Sequence, residues 1–120
     1  VDHRGYWLTR LADAVDIVQE VGSTSLRVLD DLYHQQVTEG NLIANLTAYA
    51  PWIGHYHCAG VPGRHELVGG ELDYRSLFAA IDRTGYSGYA GLEFAPTLGE
   101  ETALAQAQAL VSPDSNGSDA

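Results

Sequence analysis

Single short β-type runs alternate with amphipathic helical stretches along this chain, and no other feature restricts its fold as far. From Leu8 the apolar residues Leu11, Ala12, Val15 and Val18 recur at helical spacing, with Thr9 available as N-cap and Gly22 placed to end the element. Leu26-Arg27-Val28-Leu29-Asp30-Asp31 reads as a strand whose two acids arrive where it emerges into a loop. A second helix is expected from about Asn41 to Ala50, with Leu42, Ile43, Leu46 and Tyr49 on one side and Pro51 stopping it. Ile53 to Cys58 reads as the second strand. Asp73 then caps a helix with Tyr74, Leu77, Phe78 and Ile81 facing inward, Gly85 ends it, and Tyr89 to Phe94 reads as the third strand. The last helix is expected from about Glu100 to Val111, its two acids in the first turn, where the dipole favours them. Such alternation calls for parallel strands joined by right-handed crossovers, so the fold class is α/β. A closed barrel needs eight strands and roughly 250 residues. The chain is therefore either a small open sheet or part of a (β/α)-barrel.

Composition narrows the function classes. With 120 residues and 45% hydrophobic side chains, the chain has apolar material for one core, placed at 1–111, and SPDSNGSDA at 112–120 reads as a disordered tail. A formal charge of -10 repels the phosphate backbone and anionic lipid heads, so neither nucleic acid nor membrane is an expected partner. The only cysteine, Cys58, has no partner for an internal disulfide, and no apolar run approaches the ~20 residues that span a bilayer. A cytoplasmic protein is expected. The chain starts on Val and contains no methionine, so a start inside a longer reading frame is one expectation and a rare start codon the other.

In parallel α/β folds ligands lie at the C-terminal ends of the strands, and each strand here finishes near a metal-binding group: Asp31, His57 and Glu93. Two carboxylates and an imidazole suit Mn²⁺ or Mg²⁺, and also accept Zn²⁺ or Co²⁺. By position alone Asp30 and Asp31 are equal candidates, since neighbouring strand residues face opposite ways. His57 shares its face with His55 through period-2 spacing, although a strand histidine is more often a hydrogen-bonded core residue. Glu93 lies among Ala90, Gly91, Leu92 and Phe94 and would be buried there unless a cation meets it. His34 follows Asp31 by three residues, where it binds a substrate oxygen or lines a loop. Arg64 stands in the polar loop Ala59 to Leu72, too long for a mere connection; its guanidinium suits a substrate carboxylate, or a surface salt bridge to Glu66 or Glu71. GxGxxG, Walker-type GK[ST], CxxC and GxSxG motifs do not occur.

Taken together, Asp31-Leu32-Tyr33-His34-Gln35-Gln36, Glu39-Gly40, Ile53-Gly54-His55-Tyr56-His57, Pro62-Gly63-Arg64-His65-Glu66, Gly85-Tyr86-Ser87-Gly88-Tyr89 and Gly91-Leu92-Glu93 resemble the hydroxypyruvate isomerase family of xylose-isomerase-like barrels. The resemblance covers roughly Gly5 to Pro96. It implies that the three strands are the last three of a (β/α)8 TIM barrel, the chain being its C-terminal part. It also implies that Asp31, and not Asp30, joins His57 and Glu93 on a divalent ion, Mg²⁺ or Mn²⁺, with His34 and Arg64 as substrate contacts.

The reaction so implied interconverts hydroxypyruvate and 2-hydroxy-3-oxopropanoate through an enediolate, with Glu93 as one of two proton carriers. The family's other carrier, also a metal ligand, lies on a strand upstream of Val1, so weak activity is expected from this chain alone. Family members often carry glutamine where His57 stands, whereas related ketose epimerases carry histidine, which keeps a sugar epimerase or isomerase as the first rival. A non-catalytic binding or assembly piece is the second. The related zinc endonuclease for damaged DNA is disfavoured by the charge. An unpaired first strand would favour homo-oligomers.

Overall fold

Three short strands, β1 (Val28–Asp31), β2 (Ile53–Cys58) and β3 (Ala90–Leu92), pair in parallel in the order β1-β2-β3. The computed structural model describes residues 3–112. From residue 113 on, the tail expected over 112–120 lies outside the described residues, as do residues 1 and 2 of the domain. Among the described residues five helices connect or flank the strands: α1 (Leu11–Val21), α2 (Leu32–Thr38), α3 (Leu42–Tyr49), α4 (Tyr74–Arg83) and α5 (Glu100–Val111). A 3-10 turn, Ala50–Trp52, containing Pro51, follows α3 where proline cannot continue the helix.

Strand period 2 divides the sheet into two faces. Val28, Tyr56 and Cys58 are buried with Leu11, Val15, Leu32, Leu46, Leu77 and Ile81 in one core. Asp31, His55 and His57 project from the opposite face, and Gly91 lies under the two imidazoles. Tyr74 locks α4 to the end of β2, its hydroxyl donating to the Ala59 carbonyl at 2.8 Å and accepting from the Ala59 N–H at 2.9 Å.

Several local expectations are corrected. α1 begins at Leu11, not Leu8, and Thr9 does not cap it; the cap position is Arg10, without a side-chain bond. Glu39, 28 residues on, supplies the acceptor instead, its Oε2 taking the Leu11 N–H at 3.1 Å. That carboxylate meets the positive end of the helix dipole. The segment after β1 forms α2 rather than a plain loop: Asp31 caps it, Oδ1 accepting from the His34 N–H at 3.1 Å, and Leu32 and Tyr33 are buried. Ile43, expected on the inner side of α3, is exposed, while Leu42 and Leu46 are buried. Both outer strands are shorter than expected.

The loop after β2 folds back on itself through a bridge between Gly60 and His65. Gly60 is required there, since a Cβ would stand 2.0 Å from the Glu66 carbonyl oxygen. Glu66 is buried and ties this loop to the segment before α5, accepting from the Thr97 hydroxyl at 2.9 Å and the Leu98 N–H at 2.8 Å. Burial pushes its carboxyl up, but these bonds outweigh burial and hold it down to about 2.

β1 and β3 are the sheet edges, and Leu29 is 50% exposed, Tyr89 83%. Unpaired edges with apolar neighbours template strand pairing. The chain is accordingly expected to associate, light scattering reading a mass above 12.9 kDa. A monodisperse monomer at high concentration would contradict this.

Candidate metal centre

Parallel register builds the site. Asp31 pairs with His57 across β1 and β2, and His57 with Gly91 across β2 and β3. Glu93 lies two residues beyond Gly91, on the same side, and its N–H continues the ladder to the Cys58 carbonyl at 3.0 Å. The C-terminal ends of the three strands thus bring together Asp31, the last residue of β1, His57, next to the last of β2, and Glu93, just past β3, with one ligand atom from each within 4.8 Å of the others. His57 Nδ1 is 3.1 Å from Glu93 Oε2 and 3.8 Å from Asp31 Oδ2.

Two carboxylates and an imidazole at these separations fit a divalent cation. Asp31 is 14% exposed at its side chain, His57 25% and Glu93 52%, so the site opens to solvent on the Glu93 side. A buried Glu93 was the sequence expectation, and the structure corrects it. β3 ends at Leu92, and as an edge strand it leaves the residue after it uncovered. The cation expected to meet Glu93 is present nonetheless: Arg64 Nη2 reaches Glu93 Oε2 at 2.8 Å. Desolvation, the largest single influence, raises the Glu93 carboxyl, but the His57 charge and the Arg64 bond and charge together outweigh it and hold the group below its ordinary value.

Arg64 therefore pairs with Glu93 and not with Glu66, which caps the segment before α5. His34 sits on α2, one residue from Tyr33, its ring 5.1 Å from the Tyr33 ring and 4.7 Å from the His3 ring. With Asp31, Asp30, Gln35 and Tyr6 it lines a cleft of about 190 Å³. Tyr33, buried under this group, carries His34 on its edge and the Arg64 guanidinium on its face, Cζ lying 5.6 Å from the ring centroid. Sequence reasoning passed over Tyr33, because an aromatic in a short helix gives no sign of what it touches.

Asp30 faces the other way. It is 3% exposed, burial first and the Asp31 and Glu39 charges second push its carboxyl up to about 7, and its Oδ2 has no hydrogen-bond partner. Cys58 is buried, and that burial pushes its thiol up to about 12. Among the described residues no helix is long and apolar enough to cross a membrane.

Comparison with known proteins agrees with the architecture. The chain is 43% identical to a 2-oxo-tetronate isomerase of Cupriavidus necator over 103 residues, which are 86% of this chain and 40% of that protein. It is 36% identical to a hydroxypyruvate isomerase of Escherichia coli, again over 86% of this chain and 40% of that protein. A crystal structure of an AP endonuclease of family 2 from Brucella melitensis superposes with a TM-score of 0.85 at 33% identity, over 90% of this chain and 42% of the other. The chain thus spans about 40% of the length of the curated relatives it matches. The model of the xylose isomerase-like TIM barrel family matches residues 2–112, and with its parallel strands, strand-end site and these relatives the chain belongs to that family, as an incomplete barrel.

Proposed function

We propose that this chain carries part of the active site of an isomerase that moves a carbonyl between adjacent carbons of a small hydroxy-oxo acid, of the hydroxypyruvate or 2-oxo-tetronate kind. The observation that carries the reading is the convergence of Asp31, His57 and Glu93 beside the guanidinium of Arg64, which bonds Glu93. Asp31, His57 and Glu93 would hold a divalent ion, Mg²⁺ or Mn²⁺, which when bound supplies Lewis-acid polarisation of the substrate's neighbouring oxygens.

The chain's own residues do the rest. Glu93, whose carboxyl the neighbouring His57 helps to hold below its ordinary value, takes the proton from the hydroxyl-bearing carbon. A proton returned to the adjacent carbonyl carbon, together with passage of the hydroxyl proton to the former carbonyl oxygen, completes the shift, so no redox cofactor is consumed. Arg64 suits the substrate carboxylate, which it can grip in bidentate fashion. His34, on the rim of the cleft beside Asp31, is placed to bond a substrate oxygen.

Calorimetry on the Mn²⁺-loaded chain tests this. Hydroxypyruvate or 2-oxo-tetronate should bind more tightly than an uncharged ketose of similar size, and Arg64→Gln should remove the preference. Tighter binding of the neutral ketose would favour the sugar epimerase reading, to which histidine at position 57 also points. Turnover by this chain alone is expected to lie far below that of intact isomerases, since the family resemblance assigns the second proton carrier to an upstream strand. Full turnover would refute that assignment.

A further inference from the structure

We propose that Arg64 and the divalent ion compete for Glu93, so that ion binding releases the guanidinium to receive the substrate carboxylate and imposes an order of binding, ion first. The inference rests on the metal site proposed above. Its ground is one atom: Glu93 Oε2 accepts from Arg64 Nη2 at 2.8 Å and lies 3.1 Å from His57 Nδ1. Arg64 Nε also approaches the Glu93 backbone carbonyl at 3.4 Å, so the guanidinium clasps residue 93 by side chain and main chain. A carboxylate oxygen that ligates a divalent ion sits at about 2.0–2.2 Å from it. Arg64 on the same oxygen would face that ion at close range, with like charge and little between them.

The guanidinium that bonds Glu93 also lies over Tyr33, 5.6 Å from the ring centroid and within the ~6 Å over which an aromatic face attracts a cation, so the ring keeps it beside the site when Glu93 turns to the ion. The Arg64 backbone cannot take part in the exchange. Its N–H donates to the Gly60 carbonyl at 3.0 Å, its carbonyl accepts from the Ala95 N–H at 2.9 Å, and its φ of 62° lies in the left-handed region. The exchange is thus a side-chain rotation about a fixed Cα. Glu93 and Arg64 are both open enough to solvent for the guanidinium to move, at 52% and 34% exposure.

The test is Mn²⁺ affinity, read from the electron paramagnetic resonance of free Mn²⁺, in the wild-type chain and in Arg64→Gln, with circular dichroism as the check on folding. Removing the competitor should tighten Mn²⁺ binding by about 1.5-fold to fivefold, the range of an exposed ion pair. In parallel, the Arg64 Nε–H signal followed by NMR should shift with Mg²⁺ saturation, with the midpoint shown by the His57 ring. Unchanged or weaker affinity in Arg64→Gln, with Mn²⁺ still bound, would overturn the exchange while leaving the metal site standing. Tighter binding without movement of the Nε–H signal would also overturn it, since charge acting at a distance would then be the whole effect. No Mn²⁺ binding by either chain would sink the metal site itself, and the exchange with it.

Discussion

Glu93→Gln is expected to weaken Mn²⁺ binding by at least about 100-fold, since loss of an outer-sphere partner alone already costs about 10–100-fold. Glutamine keeps the shape of the side chain but removes one of the two anionic ligands. It also removes the acceptor shared by Arg64 and His57. The fold should be untouched, because Glu93 is half exposed and outside the core. Far-ultraviolet circular dichroism and Mn²⁺ titration on the same sample separate the two effects. In a polypeptide that supplies the whole barrel, the substitution should abolish turnover, since an amide cannot carry the proton. An affinity within twofold of wild type would place the ion elsewhere.

Asp30→Asn should change the pH dependence of stability more than any surface substitution. The folded-state carboxyl is raised to about 7 from an ordinary 3.8. Below pH 3.8 the acid is protonated both folded and unfolded, so it imposes no penalty. Between pH 3.8 and 7 the unfolded chain gives up the proton and the folded chain keeps it, so stability falls as pH rises. Above pH 7 both are ionised and the penalty is constant, on the order of 4 kcal/mol. Asparagine removes that slope. Urea unfolding at pH 4, 6 and 8, with a chelator present, should show the variant gaining on wild type as pH rises and little difference at pH 4. Parallel profiles for the two proteins would refute a buried protonated Asp30.

The parts of the molecule that were legible in the sequence are those decided within a turn or two of chain. Leu11, Val15 and Val18 mark α1, Tyr74, Leu77 and Ile81 mark α4, and the Asp73 cap bonds the Ser76 N–H at 3.2 Å as its residue type suggests. Ile53 to Cys58 forms the central strand over the span its β-type residues indicate. α2 was missed because its seven residues include polar Gln35 and Gln36 and give no sustained period. Leu32 and Tyr33 find their burial only against the sheet. Thr9 was the local choice of cap for α1, and it lost to a carboxylate 28 residues away, a partner that no local pattern announces.

Periodicity and the stereochemistry of crossovers set the alternation of elements, the parallel sheet this requires, and the positions of Asp31, His57 and Glu93 at or beside strand ends, all of it readable along the chain. On physical grounds the choice between Asp30 and Asp31 depended on packing. β1 buries Val28 and Asp30 against the helices, and period 2 then turns Asp31 to the opposite face, opposite His57. The partner of Arg64 was likewise beyond local reading, since Glu93 is 29 residues away and comes within 2.8 Å only when β2 and β3 pair and the loop after β2 folds back at Gly60. Register between strands is a long-range property, set by how a whole face packs, and it is register that gathers separate strand ends into one site.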